Sequence, residues 1–296
     1  MDKKKILTVF TPTYNRAYCL HQVYGSLCRQ TSFDFLWLII DDGSTDNTNE
    51  LVQSWIKESK IEIEYIYQEN QGMHGGYNTA YENTKTELVV CIDSDDYLTD
   101  DCVEKINTFW KLNGNEKYAG IVGLDATKDG NILGKHMPKN VKSSTLEDLY
   151  YKYKVNGDKK LVYRTEVIKQ YPKYPIFKNE SFVPLGILYL LIDKDYEMLC
   201  MDEVLCIVEY LEDGSSRNIF KQYVRHPNGF RYSREIEIRY SKYFIVRFKG
   251  IIHFISSSIF LKDYNFFKIK YNFLTFIALP LGFALNLYIK FRNKNN

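Results

Sequence analysis

The sequence predicts an α/β protein built on a mainly parallel sheet. Short β-rich apolar runs alternate with helical stretches through the first 125 residues, the pattern of a mainly parallel sheet covered by helices on both faces. Three of the runs end in polar clusters, at residues 11–16, 41–46 and 93–96. In such sheets ligands sit beyond the carboxyl ends of the strands, so three clusters on one edge point to a site.

The expected strands are 6–11, 36–41, 61–68, 88–93 and 120–124, with helices at 19–29, 45–58, 76–84 and 100–112. Thr45 and Asp46 suit the N-cap of the second helix. The basic start, MDKKKILTVF, has too short an apolar run for a signal peptide and reads as the first strand. After about residue 130 the alternation stops. Gly157-Asp158-Lys159 opens a short strand at 161–164, followed by a helix at 165–170 and a loop marked by Pro172 and Pro175. Residues 181–192 read as a helix, and 198–209 as a strand pair or one long strand. From Phe220 the text is helical, basic and aromatic.

The chain of 296 residues can hold one large domain, or a domain with an appendage. Its net charge of +2 hides an asymmetry. Residues 214–296 carry 15 Lys and Arg against 3 Asp and Glu, a net of +12, while the remainder has a net of −10. Such a basic region suits an anionic surface. Near the end, residues 273–289 form a 17-residue apolar run interrupted only by Thr275 and Asn286. As a helix it would be about 25 Å long, short of the ~30 Å hydrocarbon core, and Pro280 would kink it. Lys268, Lys270, Lys290, Arg292 and Lys294 flank it, and Tyr271 and Tyr288 lie near its ends. This predicts a helix lying on an anionic membrane surface, with 251–261 as a second such element; the alternatives are a pair of buried core helices or a true span. Long apolar runs among the cations, and the lack of any nucleic-acid-binding motif, argue against nucleic acid as a partner. The six cysteines form no CxxC and read as reduced thiols of a cytosolic protein.

The stretch LVVCIDSDD, ending in Asp93, Ser94, Asp95 and Asp96, carries the most chemistry. Carboxylates this close repel one another and suit a shared cation. Asp93 and Asp95, at i and i+2 on an extended end, point to one side. Oxygen ligands of this kind suit Mg²⁺ or Mn²⁺ arriving with a phosphate substrate. The competing reading is a solvated acidic turn that caps the next helix.

The texts TVFTPTYNRAYCL, IIDDGSTDNT and VCIDSDDYLTDD, in this order and spacing, resemble family 2 of the glycosyltransferases, nucleotide-sugar enzymes of GT-A fold. The resemblance covers about the first 125 residues. The later texts GDKKLVYRTEVIKQYP, KNESFVP and DEVLCIVEYLEDG resemble a bacterial subgroup that builds capsule or other surface polysaccharides. The resemblance implies a Rossmann-like catalytic domain over 1–213, with 1–125 binding the nucleotide-sugar and 126–213 on the acceptor side. A membrane-associating helical region would follow over 214–296. It also implies a metal-dependent, inverting transfer from a UDP-sugar to a glycan acceptor, lipid-linked and reached at the inner face of the cell membrane. Thr11, Pro12 and Tyr14 would line the nucleobase and ribose, with Arg16 nearby. Asp41 would accept from the base N–H, and Asp42 is structural or nucleotide-binding. Asp93 and Ser94 would reach the ribose or a metal-bound water, and Asp95, with Asp93, would hold the divalent ion. Asp96 would join the site or begin a helix.

The segment at 70–78 would let the backbone approach the donor at Gly72, with His74 and Asn78 in contact; Met73 stands where a lysine is common in the family. The family's Glu-Asp pair near the acceptor is incomplete here, as Asn179-Glu180-Ser181. Glu180 is the first candidate for the base and Asp158 the second. A catalytically impaired nucleotide-sugar or glycan binding protein is the alternative of another class. A sugar nucleotidyltransferase is disfavoured, because TPTYNR lacks the glycines its loop needs.

Overall fold

The computed structural model describes residues 5–209 and 219–294. Two compact units emerge. Unit 1 comprises Met1–Pro172 and Asp195–Tyr210, and unit 2 comprises Lys173–Lys194 and Leu211–Asn296. The boundary expected between 213 and 214 lies outside the described residues, and the 173–194 segment, expected on the acceptor side of the catalytic domain, belongs to unit 2.

In unit 1 the chain runs β1 (Leu7–Thr13), α1 (Ala17–Cys28), β2 (Phe35–Asp41), α2 (Thr48–Glu58), β3 (Ile63–Tyr67), α3 (Met73–Asn83) and β4 (Leu88–Cys91). The predicted alternation is present, with bounds shifted by a few residues. All seven residues of β1 are buried, as in a central strand covered on both faces. β1 pairs in parallel with β2 and β4, and β2 with β3. Under the sheet, Trp37 and Leu20 are fully buried, and Tyr24 stacks on Trp55 at 4.4 Å. This aromatic packing fixes α1 and α2 on one face.

The second half makes the sheet mixed. β5 (Tyr97–Leu98), α4 (Cys102–Asn113), β6 (Tyr118–Ala126), β7 (Ser143–Ser144), α5 (Leu146–Tyr151), β8 (Lys159–Arg164), α6 (Thr165–Ile168) and β9 (Glu197–Ile207) complete unit 1. The order is β3-β2-β1-β4-β8-β6-β9-β5, with β7 beside β9. β8 enters antiparallel between β4 and β6, so the start of β8 lies at the edge where β1, β2, β4 and β6 end. The 198–209 stretch, which reads as a strand pair or one long strand, holds a single strand, β9, that ends at Ile207. Gly120 (φ +151°) permits the crossing, since a Cβ there would come 1.9 Å from the Val162 carbonyl oxygen.

Unit 2 is helical: α7 (Gly186–Ile192), α8 (Ile219–Arg225), α9 (Pro227–Tyr240), α10 (Phe244–Phe260), a 3-10 turn (Phe266–Lys268) and α11 (Asn272–Lys294). The helix expected over 181–192 is shorter. Pro184 disfavours helical backbone at the residue before it, and α7 begins only at Gly186. Ile238, Ile251, Phe254, Ile255 and Ala278 join α9, α10 and α11 in one buried cluster.

Candidate active site

The loops after β1 and β2 are locked together. Asn15 adopts left-handed backbone (φ +52°), which asparagine tolerates. Its Oδ1 accepts from the Thr45 N–H at 2.7 Å and the Asp46 N–H at 3.3 Å, and its own N–H donates to Ser44 Oγ at 2.9 Å. Asp46 returns the link by accepting the Ala17 N–H at 3.1 Å. Burial alone would raise the Asp46 carboxyl, but hydrogen bonds from the Thr48 hydroxyl and the Ala17 N–H outweigh it and hold it below its ordinary value. Thr45 and Asp46 fall short of the expected cap position: Asn47 occupies it, and Asp46 supports the start of α2 through the Thr48 N–H and hydroxyl.

Thr11 and Pro12 are buried, and Tyr14 is exposed at the edge. The Thr11 hydroxyl is turned inward, accepting from Trp37 Nε1 at 3.0 Å. Pro12 lies under the first turn of α3, where a Cβ on Gly76 would come within 3.1 Å of it. Arg16 is half-buried and donates to the Tyr18 hydroxyl. Asp41 and Asp42 are both buried. Asp41 accepts from the Ser44 N–H at 2.8 Å and the Tyr65 hydroxyl at 2.5 Å; burial and this carboxylate push the Tyr65 phenol up. Asp42 anchors the next loop, accepting from Gln68 Nε2, the Gln71 N–H and the Gly72 N–H at 2.6, 2.9 and 2.8 Å. Burial raises its carboxyl, and these donors oppose the rise. Gly72 (φ +79°) turns the chain into α3, which carries the buried His74 and the half-buried Asn78.

Beyond β4, burial alternates: Asp93 and Asp95 are half-buried, whereas Ser94 and Asp96 are buried. The backbone here is not extended, however: strand β4 ends at Cys91, and Ser94 and Asp95 are the central residues of a turn closed by the Asp96 N–H donating to the Asp93 carbonyl at 3.1 Å, so the strand alternation expected to aim Asp93 and Asp95 together does not reach them. Asp96 is not a helix start. Strand β5 follows it, α4 begins only at Cys102, and Asp96 accepts the Glu209 N–H at 3.1 Å. Of the competing reading, the turn is present at 93–96, and the cap position of α4 is held by Asp101 rather than by that cluster. Burial, with the neighbouring Asp93, raises the Asp96 carboxyl to about 7 despite the opposing Lys160 cation.

Lys160 and Asp125 complete the edge, and sequence reasoning missed both. Lys160 Nζ lies 3.9 Å from Asp125 Oδ1, with both side chains buried. Burial would lower the Lys160 ammonium, but Asp125, Asp96 and Asp93 outweigh it and hold the pKa well above the ordinary value. Next to it, the exposed Asp158 opens β8, and Lys159 Nζ donates to the carbonyls of Leu133, Asn156 and Gly157. Nothing in the text KK distinguishes a buried lysine from a solvated one; only strand β8's place in the sheet does.

Unit 1 thus brings Thr11, Pro12, Tyr14, Arg16, Asp41, Asp42, Gly72, His74, Asn78, Asp93–Asp96 and Asp158 onto the motif-bearing edge and its loops. Glu180 belongs to unit 2. There its carboxylate accepts from the Asn228 N–H at 3.0 Å, Asn228 Nδ2 at 2.8 Å and the Gly229 N–H at 2.9 Å, capping α9. Among the described residues no group of three or more His, Cys, Asp or Glu is arranged to hold a metal ion. The carboxylate oxygens of Asp93 and Asp95 are the donor type a hard divalent cation takes, and the rest of its ligands would come from a phosphate substrate and water.

The model of glycosyl transferase family 2 matches residues 8–171, more than half of the chain. A GalNAc(5)-diNAcBac-PP-undecaprenol beta-1,3-glucosyltransferase of Campylobacter jejuni is 29% identical over 154 residues, covering 50% of this chain and 48% of that protein. A poly(ribitol-phosphate) beta-N-acetylglucosaminyltransferase, TarP, of Staphylococcus aureus is 28% identical over 183 residues, covering 60% and 51%. The matches span about half or less of these relatives' lengths. The structure of S. aureus TarS 1-349 in complex with UDP-GlcNAc superposes with a TM-score of 0.61 at 18% identity, covering 93% of this chain and 79% of that one. A mannosyltransferase from Pyrobaculum calidifontis in complex with GDP-Man and Mn2+ gives 0.56 at 15% identity, covering 96% and 74%. The structural likeness establishes a GT-A-like α/β fold with a mixed sheet flanked by helices. With the family model spanning the sheet edge that carries all three motifs, the chain belongs to glycosyl transferase family 2.

Proposed function

We propose that the protein is a metal-dependent, inverting glycosyltransferase. It would move a hexosyl or N-acetylhexosaminyl group from a UDP-sugar to a lipid-linked glycan, in surface polysaccharide (capsule) synthesis at the inner, anionic face of a bacterial membrane. One observation carries the reading: Pro12–Tyr14, Asp41–Asp42 and the Asp93/Asp95 pair, on the turn after β4, converge on one sheet edge. The relatives named as acting on undecaprenol-linked and poly(ribitol-phosphate) acceptors support the acceptor class.

In this proposal Pro12 and Tyr14 flank the nucleoside, Arg16 supplies a nearby cation, and the buried Asp41 presents its carboxylate to the base. Asp42 holds the loop that carries Gly72, so the backbone at the start of α3 can approach the donor, with His74 and Asn78 behind it. Asp95 and Asp93 hold Mn²⁺ or Mg²⁺, and Ser94 and Asp93 face the ribose. Bound there, the divalent ion would offset the charge that develops on the leaving diphosphate. The proton of the acceptor hydroxyl goes to a carboxylate. Glu180 would be a base fixed in orientation by its three N–H donors; Asp158 would act from the donor edge of unit 1.

The test is a donor panel of UDP-, dTDP- and GDP-sugars with Mn²⁺ or Mg²⁺, reading released nucleotide. Turnover with a UDP-sugar that stops in Asp95→Ala supports the proposal. Normal turnover in that variant sinks the metal role. Tight UDP-sugar binding with no transfer to any acceptor would favour the impaired binding protein instead.

A further inference from the structure

Helix α11 is packed inside out. Its buried stripe is Thr275, Ala278, Gly282, Asn286 and Ile289, at helical spacing. Only one of the five is a large apolar residue. The residues turned outward include Phe273 at 75% exposure, Phe276 at 67%, Leu287 at 66% and Phe291 at 63%, flanked by Leu281 and Phe283 at just under half. A helix on a water-soluble body does the reverse and turns its large apolar stripe to the core.

The inner face resembles helix contacts inside bilayers, where small residues allow close approach and polar side chains bond across. A Cβ on Gly282 would come 2.5 Å from Ile255 Cγ2. Asn286 Nδ2 donates to the Ser256 carbonyl at 3.1 Å, and α10 adds the buried Ser257 and Ser258. A contiguous apolar outer face of this size marks an interaction surface.

Charge selects the occupant. Lys268 and Lys270 precede the helix, Lys290, Arg292 and Lys294 end it, and residues 264–296 contain no Asp or Glu. A second copy would set cation against cation in either parallel or antiparallel alignment. An anionic lipid surface meets both ends favourably. A full span is opposed by α9, which packs on α10 within the same cluster. Arg231 of α9 pairs with Asp263, in the α10–α11 connection, at 2.7 Å, so a spanning α10–α11 pair would drag Arg231, Arg234 and Glu237 into hydrocarbon.

We propose that α11 lies in the plane of an anionic leaflet, with Phe273, Phe276, Leu281, Phe283 and Leu287 among the acyl chains and the terminal cations on the headgroups. This deepens the membrane part of the proposed function by naming the face and the mode of contact. The test is flotation of the full chain with vesicles of neutral phosphatidylcholine, with and without phosphatidylglycerol, at low and high salt. The wild type is expected to float with anionic vesicles and to stay bound in part at high salt. Phe276→Asp/Leu287→Asp is expected to bind at least tenfold more weakly with an unchanged melting temperature. In Phe283→Trp, lipids brominated on the acyl chains are expected to quench the added fluorescence.

Equal binding by the double variant, with the wild type bound, overturns the assignment of this face. Complete release of the wild type by salt overturns insertion. A lipid-free dimer abolished by the double variant would make a second copy the occupant. No wild-type binding to anionic vesicles would sink the surface reading itself while leaving nucleotide-sugar turnover untouched.

Discussion

Asp93 and Asp95 present two half-buried carboxylates on the turn that follows β4, beside the buried Ser94 and Asp96. If the pair anchors the cation beside the diphosphate, Asp95→Ala removes stabilisation that matters most as charge develops. Turnover is expected to fall about 100-fold or more, with nucleotide release under saturating Mn²⁺ as the readout. Beneath the loop, Lys160→Met would leave Asp125 buried without its cation, at a cost of about 3–5 kcal/mol. The double variant Lys160→Met/Asp125→Leu is expected to recover most of that in urea unfolding, because a buried pair contributes little over apolar packing. Glu180→Gln replaces an acceptor-only group with an amide that cannot satisfy the same three donors. It should lower the melting temperature whatever its effect on turnover, whereas Asp158→Asn, at an exposed position, should not. Loss of turnover in Asp158→Asn at unchanged stability would make Asp158 the base. At this scale the extended i, i+2 geometry expected for Asp93 and Asp95 is not realised, because strand backbone ends at Cys91; the acidic turn after it was legible in the sequence. The tie from Asp96 to Glu209 was not, because it joins residues 113 apart.

Among the elements, β1 to β4 and their helices were legible because each strand and helix is a local periodic signal followed by a turn. Strand β8 was visible as a strand, but its antiparallel insertion between β4 and β6 was not. Nothing local in 159–164 states its partners, and this placement sets Lys160 and Asp158 at the motif-bearing edge. In α10, His253 lies against the Tyr223 ring at 5.4 Å. Burial, reinforced by Arg234 and Lys249, depresses its pKa to about 4. The folded value lies below the unfolded one near 6.5, so the unfolded chain binds the extra proton. Stability is therefore expected to fall as pH drops from about 6.5 toward 4, by about 3 kcal/mol at most. His253→Gln should flatten that dependence in thermal melts taken across the same range.

For the whole molecule, the proposed function has the two compact units answer to different ligands, and a binding partner stabilises only the state it recognises. UDP with Mn²⁺ at 100 times its dissociation constant should stabilise the native state by about 2.7 kcal/mol, raising the melting transition of unit 1. Asp95→Ala should lose the Mn²⁺-dependent part, as differential scanning calorimetry would read. The order of strands and helices, the three polar clusters and the charge asymmetry between −10 and +12 are properties of the sequence alone. Periodicity, turn chemistry and charge are local or additive, so the sequence by itself determined the α/β class, the family motifs and the basic, apolar tail. Which residues share an interior depends on contacts between distant segments, and only the tertiary structure decided those. It placed Lys160 beside Asp125, gave 173–194 to the helical unit with Glu180 at the start of α9, and turned the small residues of α11 inward and its phenylalanines out.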